Sequence, residues 1–518
     1  MISALLVVLP SLVVSCKVGP NYTTPPAKTA AQWSEPASLT NHAVTASAED
    51  PEGAWWRYFH DPVLDELVAA ARSNNLSLQE AGVRILEARA RLNQSIGNLF
   101  PQDQGIKGGV NYERLHDGMA SSIPGINPDY INDYALFAAT WEIDFWGKYR
   151  RGIESDRASF YGTMAAYEDS LVTVTADVAA SYVNIRTFEE RLRSARRNVE
   201  LQRESLRIAR AQFNAGETSE RDVQQATAQL GQTEAAIPLL VEARAQACNG
   251  LAVLLGETVP ETQQRLQRTG NIPQGPTAIE MGIPHDLLRR RPDVRAAGYA
   301  AASKCALIGV ARANMYPSFS LAGEFGFSGN NEGANSLVDM FTWQGRAAKA
   351  GANFFFPIFN YGRLENQVRV QDAQFQQAIL NYQNTVLKAQ QEVEDGLVAF
   401  REQQKAVDSY TEAAQAARRS TQLAMTEYKG GQTDYTTVLT AEQAQLVIED
   451  DLATARGNVV LGLVSLYRAL GGGWAVETGD DVVSQDVKTA MARRTNWGKL
   501  LEPARHLPPD TAQNQRTQ

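Results

Sequence analysis

The chain has 518 residues, a formal net charge of −9 from 49 basic and 58 acidic side chains, and 44 % apolar residues. That acidic balance argues against a fold wrapped around nucleic acid. Three cysteines (Cys16, Cys248, Cys305) without a CxxC pair, and scattered histidines without an HExxH motif, exclude a disulfide framework and offer no metal chemistry.

No apolar run approaches the ~18 residues that a membrane-crossing helix needs, so any span must be built of strands. Residues 1–15 read as a signal peptide, apolar from position 2 and without charge, although no basic residue precedes the apolar stretch. It ends in Val13-Val14-Ser15-Cys16, which resembles a bacterial lipobox, so Cys16 is expected to carry a diacylglycerol. Each buried acyl methylene contributes ~0.8 kcal/mol to membrane attachment. Lys17 stands where a retained lipoprotein commonly has aspartate, which favours delivery to the outer membrane. Residues 16–62 then form an extended, lipidated arm carrying Pro20, Pro25, Pro26, Pro36, Pro51 and Pro62.

Beyond the arm the sequence repeats itself at an offset of about 215. Phe213-Asn-Ala-Gly216-Glu-Thr218 lies over Tyr428-Lys-Gly-Gly431-Gln-Thr433, Val223 over Val438, Gly147-Lys-Tyr over Gly362-Arg-Leu, and Leu255-Gly256 over Leu470-Gly471. Two copies of one unit, 63–270 and 271–475, account for most of the chain. In each copy a helix comes first, over 63–97 and 293–313, and ends before Pro101 or Pro317.

Next comes a strand pair with alternating apolar residues: Ile106, Val110, Tyr112 with Trp141, Ile143, Phe145, and Phe319, Leu321, Gly323, Phe325, Phe327 with a run over 352–359. The linkers 117–132 and 328–342 are rich in Gly, Asn, Ser and Pro, as hairpin loops are. Trp141, Trp146, Tyr134, Phe354, Phe355 and Phe356 fit aromatic girdles, and a packed core explains part of the same pattern. A very long helix follows, 156–213 and 364–428, some ~87 Å in the first copy at 1.5 Å per residue. Each is stopped at a glycine, Gly216 or the Gly430-Gly431 pair, and a second helix returns over 219–255 and 436–470. A seam of Leu201, Leu206, Ile208, Ala209 and Phe213 facing Val438, Leu446, Ala453 and Val460 makes these helical hairpins. The remainder, 476–518, is polar, with Pro503, Pro508 and Pro509, and reads as a mobile tail.

Four strands leave two sheet edges that hydrocarbon cannot satisfy, and barrels need at least eight strands, so partner copies are required. With this order of elements, the segments Cys16-Lys-Val-Gly-Pro-Asn-Tyr22, Trp55-Trp56 with Asp61-Pro62, Arg290-Arg291-Pro292-Asp293-Val294, Ile308-Gly-Val-Ala-Arg312 and Ala469-Leu-Gly-Gly-Gly-Trp474 resemble the TolC-type outer-membrane factors. The resemblance is to their lipoprotein, NodT-like branch, which serves resistance-nodulation-division efflux pumps. It implies an α+β membrane protein: a homotrimer whose twelve-stranded β-barrel, four strands per chain, continues into a long periplasmic α-helical barrel. It also implies a periplasmic adaptor protein and an inner-membrane pump as partners, contact with outer-membrane lipid, and no cofactor, metal or catalytic residue. A protein-secretion duct and a helical scaffold lipoprotein are the alternatives.

The resemblance further implies a periplasmic aperture just past the hairpin turns. Asp222 falls on a family aspartate that bonds a tyrosine of the neighbouring hairpin, here Tyr428, while a second link would join Arg221 and Thr433 with the two partners exchanged. Thr437 and Thr440 replace aspartates that form rings in many members, which leaves Glu220, Asp222 and Asp434 as acids a threefold axis could gather. Acids at a helix start are equally explained by the helix dipole. Gly216, Gly430 and Gly431 would form the turns where the adaptor docks. The run Arg289-Arg290-Arg291 reads as a packed or solvated cluster, not a nucleic-acid site.

Overall fold

The computed structural model describes residues 17–31, 33–34, 54–114, 129–267, 270–276, 289–330, 341–474 and 481–502. The signal peptide, Cys16 and most of both strand-hairpin loops lie outside these residues. The chain divides into two compact units, one of residues 1–25, 86–162 and 297–382, the other of 26–85, 163–296 and 383–518.

In the first unit β1 (Asp103–Arg114), β2 (Asp129–Ile143), β3 (Ser318–Asn330) and β4 (Arg346–Phe355) form one antiparallel sheet in the order β1-β2-β3-β4. Ile106 pairs with Phe137, Phe137 with Phe325, and Phe325 with Ala348. Because successive side chains alternate between faces, this register collects Ile106, Val110, Phe137, Trp141, Leu321, Phe325, Ala352 and Phe354 on one face. Ile106 is 84 % and Phe354 74 % exposed. The opposite face carries Lys107, Asn111, Glu113, Ser320, Glu324 and Lys349, with Lys107 Nζ 3.2 Å from Glu324 Oε1. Neither outer strand has a partner along its free edge among the described residues.

Three strand bounds differ from the sequence expectation, β3 running on to Asn330 in the expected loop 328–342. β2 starts at Asp129, inside the expected loop, because its first turns alternate with polar residues and so hide the period. β4 covers Arg346–Phe355 instead of 352–359, since its alanine and glycine run carries no visible alternation and Pro357 has no N–H to extend the ladder.

The second unit is helical, and the first unit also holds residues 86–97, 148–162, 297–313 and 363–382 of the helices named below. A 3-10 turn, Trp55–Phe59, is followed by α1 (Pro62–Asn74) and α2 (Leu76–Gly97). The single helix expected over 63–97 is therefore two: α1 starts on Asp61, which accepts from the Val63 and Leu64 amides, and the chain leaves helical geometry at Asn75. There Asn75 accepts from the Leu78 amide and donates to Leu254 O, each at 2.8 Å, which restarts the helix. The long helices are α3 (Lys148–Asn214) and α7 (Arg363–Lys429), 67 residues each, with return helices α4 (Glu220–Leu255) and α8 (Tyr435–Ala469). Short α5 (Val259–Arg265) follows α4, and α6 (Pro292–Ala313) leads into β3.

Glycines bring these helices together. A Cβ on Gly457 would lie 2.3 Å from Thr187 Oγ1, and one on Gly396 3.1 Å from Leu466 Cα. Trp55 stacks on Tyr467 at 5.1 Å between ring centres, and Gly473 sits against both Trp55 and Trp56. The buried Arg291 forks to Asp293 and Glu392 and donates to Ala469 O, which makes it a packed residue as expected.

Residues 481–502 are not a loose tail. They contain α9 (Gln485–Arg494), bury Val482, Val483 and Met491, and press the Val482 carbonyl onto Gly82 of α2 where no side chain intervenes. The missed signal was a paired Val482-Val483 ahead of a Ser484 N-cap. Nor is the arm extended throughout, since Trp55–Phe59 turns and is buried at three positions. Leu201 and Phe213, expected in the seam, are exposed. No described helix is long and apolar enough to cross a membrane.

Candidate aperture at the helical-hairpin tips

Both hairpins turn in the same way. In the first, Gly216 N–H donates to Phe213 O and Glu217 N–H to Gln212 O; in the second, Gly431 N–H donates to Tyr428 O and Gln432 N–H to Glu427 O. The reversal leaves Gly216 at φ +77° and Gly431 at φ +68°, the left-handed region that side chains resist. Gly430, also in the second turn, is not in that region, so the turn does not require glycine there.

Just inside the turns lies a buried cluster of Leu206, Ile208 and Ala209 on α3, Ala226 on α4, Ala424 and Tyr428 on α7, and Tyr435 and Val438 on α8. Tyr428 and Tyr435 meet edge to face at 5.4 Å. Asp222, 5 % exposed, faces the same cluster, with its carboxylate 3.4 Å from Ser219 Oγ and 3.6 Å from Arg221 Nε. Burial pushes the Tyr428 hydroxyl above its ordinary pKa, and the Asp222 charge adds to the shift. The hydroxyls of Tyr428 and Thr218 complete no hydrogen bond among the described residues. The structure thus brings Asp222 and Tyr428 into one buried cluster without joining them by a hydrogen bond.

The other expected residues act locally. Thr433 donates to Thr437 Oγ1 at 3.0 Å, and Thr437 donates through both its amide and its hydroxyl to Asp434, the N-cap of α8. Thr440 bonds back to Thr436 O, and Glu220 accepts from Gln224. Within the chain Arg221 lies beside Asp222, and Thr433 is bonded elsewhere.

Sequence reading missed a polar stripe behind the tip. Buried residues of α8 recur at Tyr435, Val438, Glu442, Gln445, Glu449 and Leu452, alternating steps of three and four as in a heptad seam. Glu442 accepts from Ser205 Oγ, and its second oxygen has no partner among the described residues; burial raises its pKa, against the pull of that hydroxyl. Burial also disfavours the charge on Glu449, but Ser194, Arg418 and Asn198 donate to it and hold its pKa low. The two carboxylates flank a cavity of about 460 Å³ with Arg197, Ser205, Arg418 and Thr421. Heptad spacing is the available signal, and the charged residues at those positions obscure it.

A four-stranded sheet with an exposed apolar face and two open edges, in the same chain as long helical hairpins, is a surface that hydrocarbon tolerates only when further strands close it. The chain belongs to the outer membrane efflux protein family, whose profile matches residues 67–257 and again 283–472. It is 27 % identical over 463 residues to nodulation protein T of Rhizobium leguminosarum bv. trifolii, covering 89 % of this chain and 96 % of that one. It is 28 % identical over 477 residues to the toluene efflux pump outer membrane protein TtgC of Pseudomonas putida, covering 92 % and 96 %. Among solved structures, the outer-membrane channel OprN is 30 % identical with a TM-score of 0.78, covering 89 % of this chain and all of that one. The NodT-like outer-membrane factor inferred from sequence is thus the family found.

Proposed function

We propose that the protein is the outer-membrane exit duct of a tripartite efflux pump, a passive channel for small molecules that performs no catalysis. The observation that carries this reading is the sheet: an exposed apolar face, a polar face behind it and two unsatisfied edges, which hydrocarbon tolerates only when closed by further strands. Three chains of four strands would close a twelve-stranded barrel, in the usual even-numbered range. Exposed Leu239, Val253 and Val447 on the return helices would be covered by sister hairpins in an α-helical barrel. Support for two copies of one unit comes from the double family match, the equal 67-residue helices and the identical turns.

A diacylglycerol on Cys16 would anchor the chain in the outer membrane. A periplasmic adaptor would meet the hairpin tips around Gly216 and Gly431, and an inner-membrane resistance-nodulation-division pump would supply the energy. The Asp222–Tyr428 cluster, with Arg221, Glu220, Thr433, Asp434, Thr437 and Thr440 around it, would form an iris that three copies close. Hydrogen bonds at a wet tip contribute only ~1 kcal/mol each, weak enough for a docking partner to open. The relationship to a toluene efflux pump outer membrane protein supports small molecules as cargo. Reconstitution in planar bilayers tests the proposal: ohmic, weakly selective channels are expected, and an electrically silent bilayer at saturating protein would refute it.

A further inference from the structure

Two of the motifs that carried the family resemblance, Lys17-Val-Gly-Pro-Asn-Tyr22 and Ile308-Gly-Val-Ala-Arg312, are explained by one contact in the first unit. Arg151, in the first turn of α3, is 1 % exposed, and its guanidinium is directed at the chain's own amino-terminal arm. Nε donates to Val18 O at 3.0 Å, Nη2 to Gly19 O at 3.0 Å and to Asn21 Oδ1 at 2.9 Å, and Nη1 to Glu154 at 2.9 Å. Glu154 also pairs with Lys17, Val18 N–H donates to Trp146 O at 3.1 Å, and Cys305 Sγ lies 3.8 Å from Pro20 O.

The slot is closed by two facing glycines. A Cβ on Gly19, which has φ +93°, would sit 2.5 Å from Gly309 Cα, and a Cβ on Gly309 would sit 2.8 Å from both Arg151 Cγ and Val18 O. Backbone therefore lies on backbone, with the planar guanidinium filling the fork.

From this geometry we infer that Arg151, with Gly309, is the positioning site for the lipid anchor. The inference rests on the acylation of Cys16 proposed above. Lys17 is held against Gly147, where a Cβ would lie 3.1 Å from Lys17 Cα, and Gly147 follows the end of β2 by four residues. One trans peptide step spans ~3.8 Å between Cα atoms, so the acylated residue has almost no free tether. The stacked pair Trp146 and Tyr316, 4.7 Å apart, stands at the end of the sheet where β2 leaves and β3 begins, so the acyl chains would enter the bilayer there. An anchor on a slack arm would leave that location unspecified.

The Lys17–Val18 bond is a tryptic site inside the clamp, and cutting it severs the acylated dipeptide from the protein. Limited trypsinolysis of the full-length, membrane-extracted protein, followed by mass spectrometry of the amino-terminal peptide, reads the clamp directly. Arg151→Gln removes the fork, while Gly309→Ala keeps the arginine but drives a methyl against both its stem and the Val18 carbonyl and so displaces the strap, so a folding defect specific to one variant does not decide the result. The expected outcome is cleavage after Lys17 at least ~tenfold faster in both variants than in the parent, because cleavage follows the population of the open strap. Cleavage after the exposed Lys429 should be unchanged. Equal cleavage after Lys17 in all three proteins would overturn the clamp. Acylation is read separately from the mass of the undigested amino terminus, and an unmodified Cys16 would overturn the anchor assignment while the cleavage rates still judge the clamp.

Discussion

Glu442 and Glu449 occupy the same seam of α8 seven residues apart, yet neutralising them should have opposite consequences. Glu449 is 5 % exposed and accepts from Ser194 at 2.6 Å, Asn198 at 3.0 Å and Arg418 at 2.5 Å. Hydrogen bonds to a charged group contribute about 1.5–3 kcal/mol each before desolvation is subtracted. Arg418 is 47 % exposed, so its share is screened. Glu449→Gln should therefore cost about 2 kcal/mol at pH 7.5. Glu442 has a hydroxyl donor on one oxygen and no partner on the other, so Glu442→Gln removes a poorly compensated charge and should be neutral or stabilising.

Linkage gives the two acids opposite pH signs. The depressed pKa of Glu449 means its contribution is present above the unfolded value of about 4.3 and is lost as pH falls through the folded value. The raised pKa of Glu442 means its contribution is present below about 4.3 and is lost as pH rises through the folded value. Thermal unfolding of the detergent-solubilised protein at pH 7.5 and 4.0 measures both. For a chain of this size about 2 kcal/mol corresponds to a few degrees at most. The Glu449 variant should melt lower than parent at pH 7.5, with the gap narrowing at pH 4.0. A Glu442 variant that melts as low as the Glu449 variant at pH 7.5 would refute the reasoning.

Asp222→Ala should loosen the tip and raise the open probability of single channels in planar bilayers; an unchanged current record would remove Asp222 from the aperture. Tyr428→Phe deletes a buried, unpaired hydroxyl, whose burial costs roughly 1–3 kcal/mol, so it should melt no lower than the parent even if its channels leak. Alanine at Gly216 or Gly431 should cost about 1 kcal/mol through the left-handed backbone, whereas Gly430→Ala should be silent in the same melting assay. Gly457→Ala drives a methyl into Thr187 and should destabilise by about 1–3 kcal/mol, with Thr187→Ala restoring part of the loss in the double variant.

Periodicity foretold the architecture where it was unbroken. The long helices were placed because no proline interrupts them; α7 matches the expectation to one residue at each end, and α3 begins earlier than expected, at Lys148 instead of 156. It failed where tertiary contacts decide: the break at Asn75 is made by a side chain bonding Leu254 across 179 residues, and α9 is held by a carbonyl packed on Gly82. β4 was displaced because Ala347, Ala348, Ala350 and Gly351 show no alternation until Phe354 and Phe355 end the strand. Of the tip residues, Asp222 and Tyr428 were named through resemblance; Tyr428 belongs to the buried cluster and Asp222 is buried beside it. Glu442 and Glu449 were passed over, because a glutamate in a helix ordinarily faces water, and only the three-four spacing of α8 set them inside. Motifs such as Arg291-Pro292-Asp293 and Gly471-Gly472-Gly473-Trp474 identified the family and are used for packing.

Native mass spectrometry of the protein released from detergent micelles, paired with conductance of the same preparation, tests most directly whether sister copies complete the duct. A particle of three chains that forms channels is the expected result. Conducting single chains, or a well-folded monomer that never associates, would contradict the account.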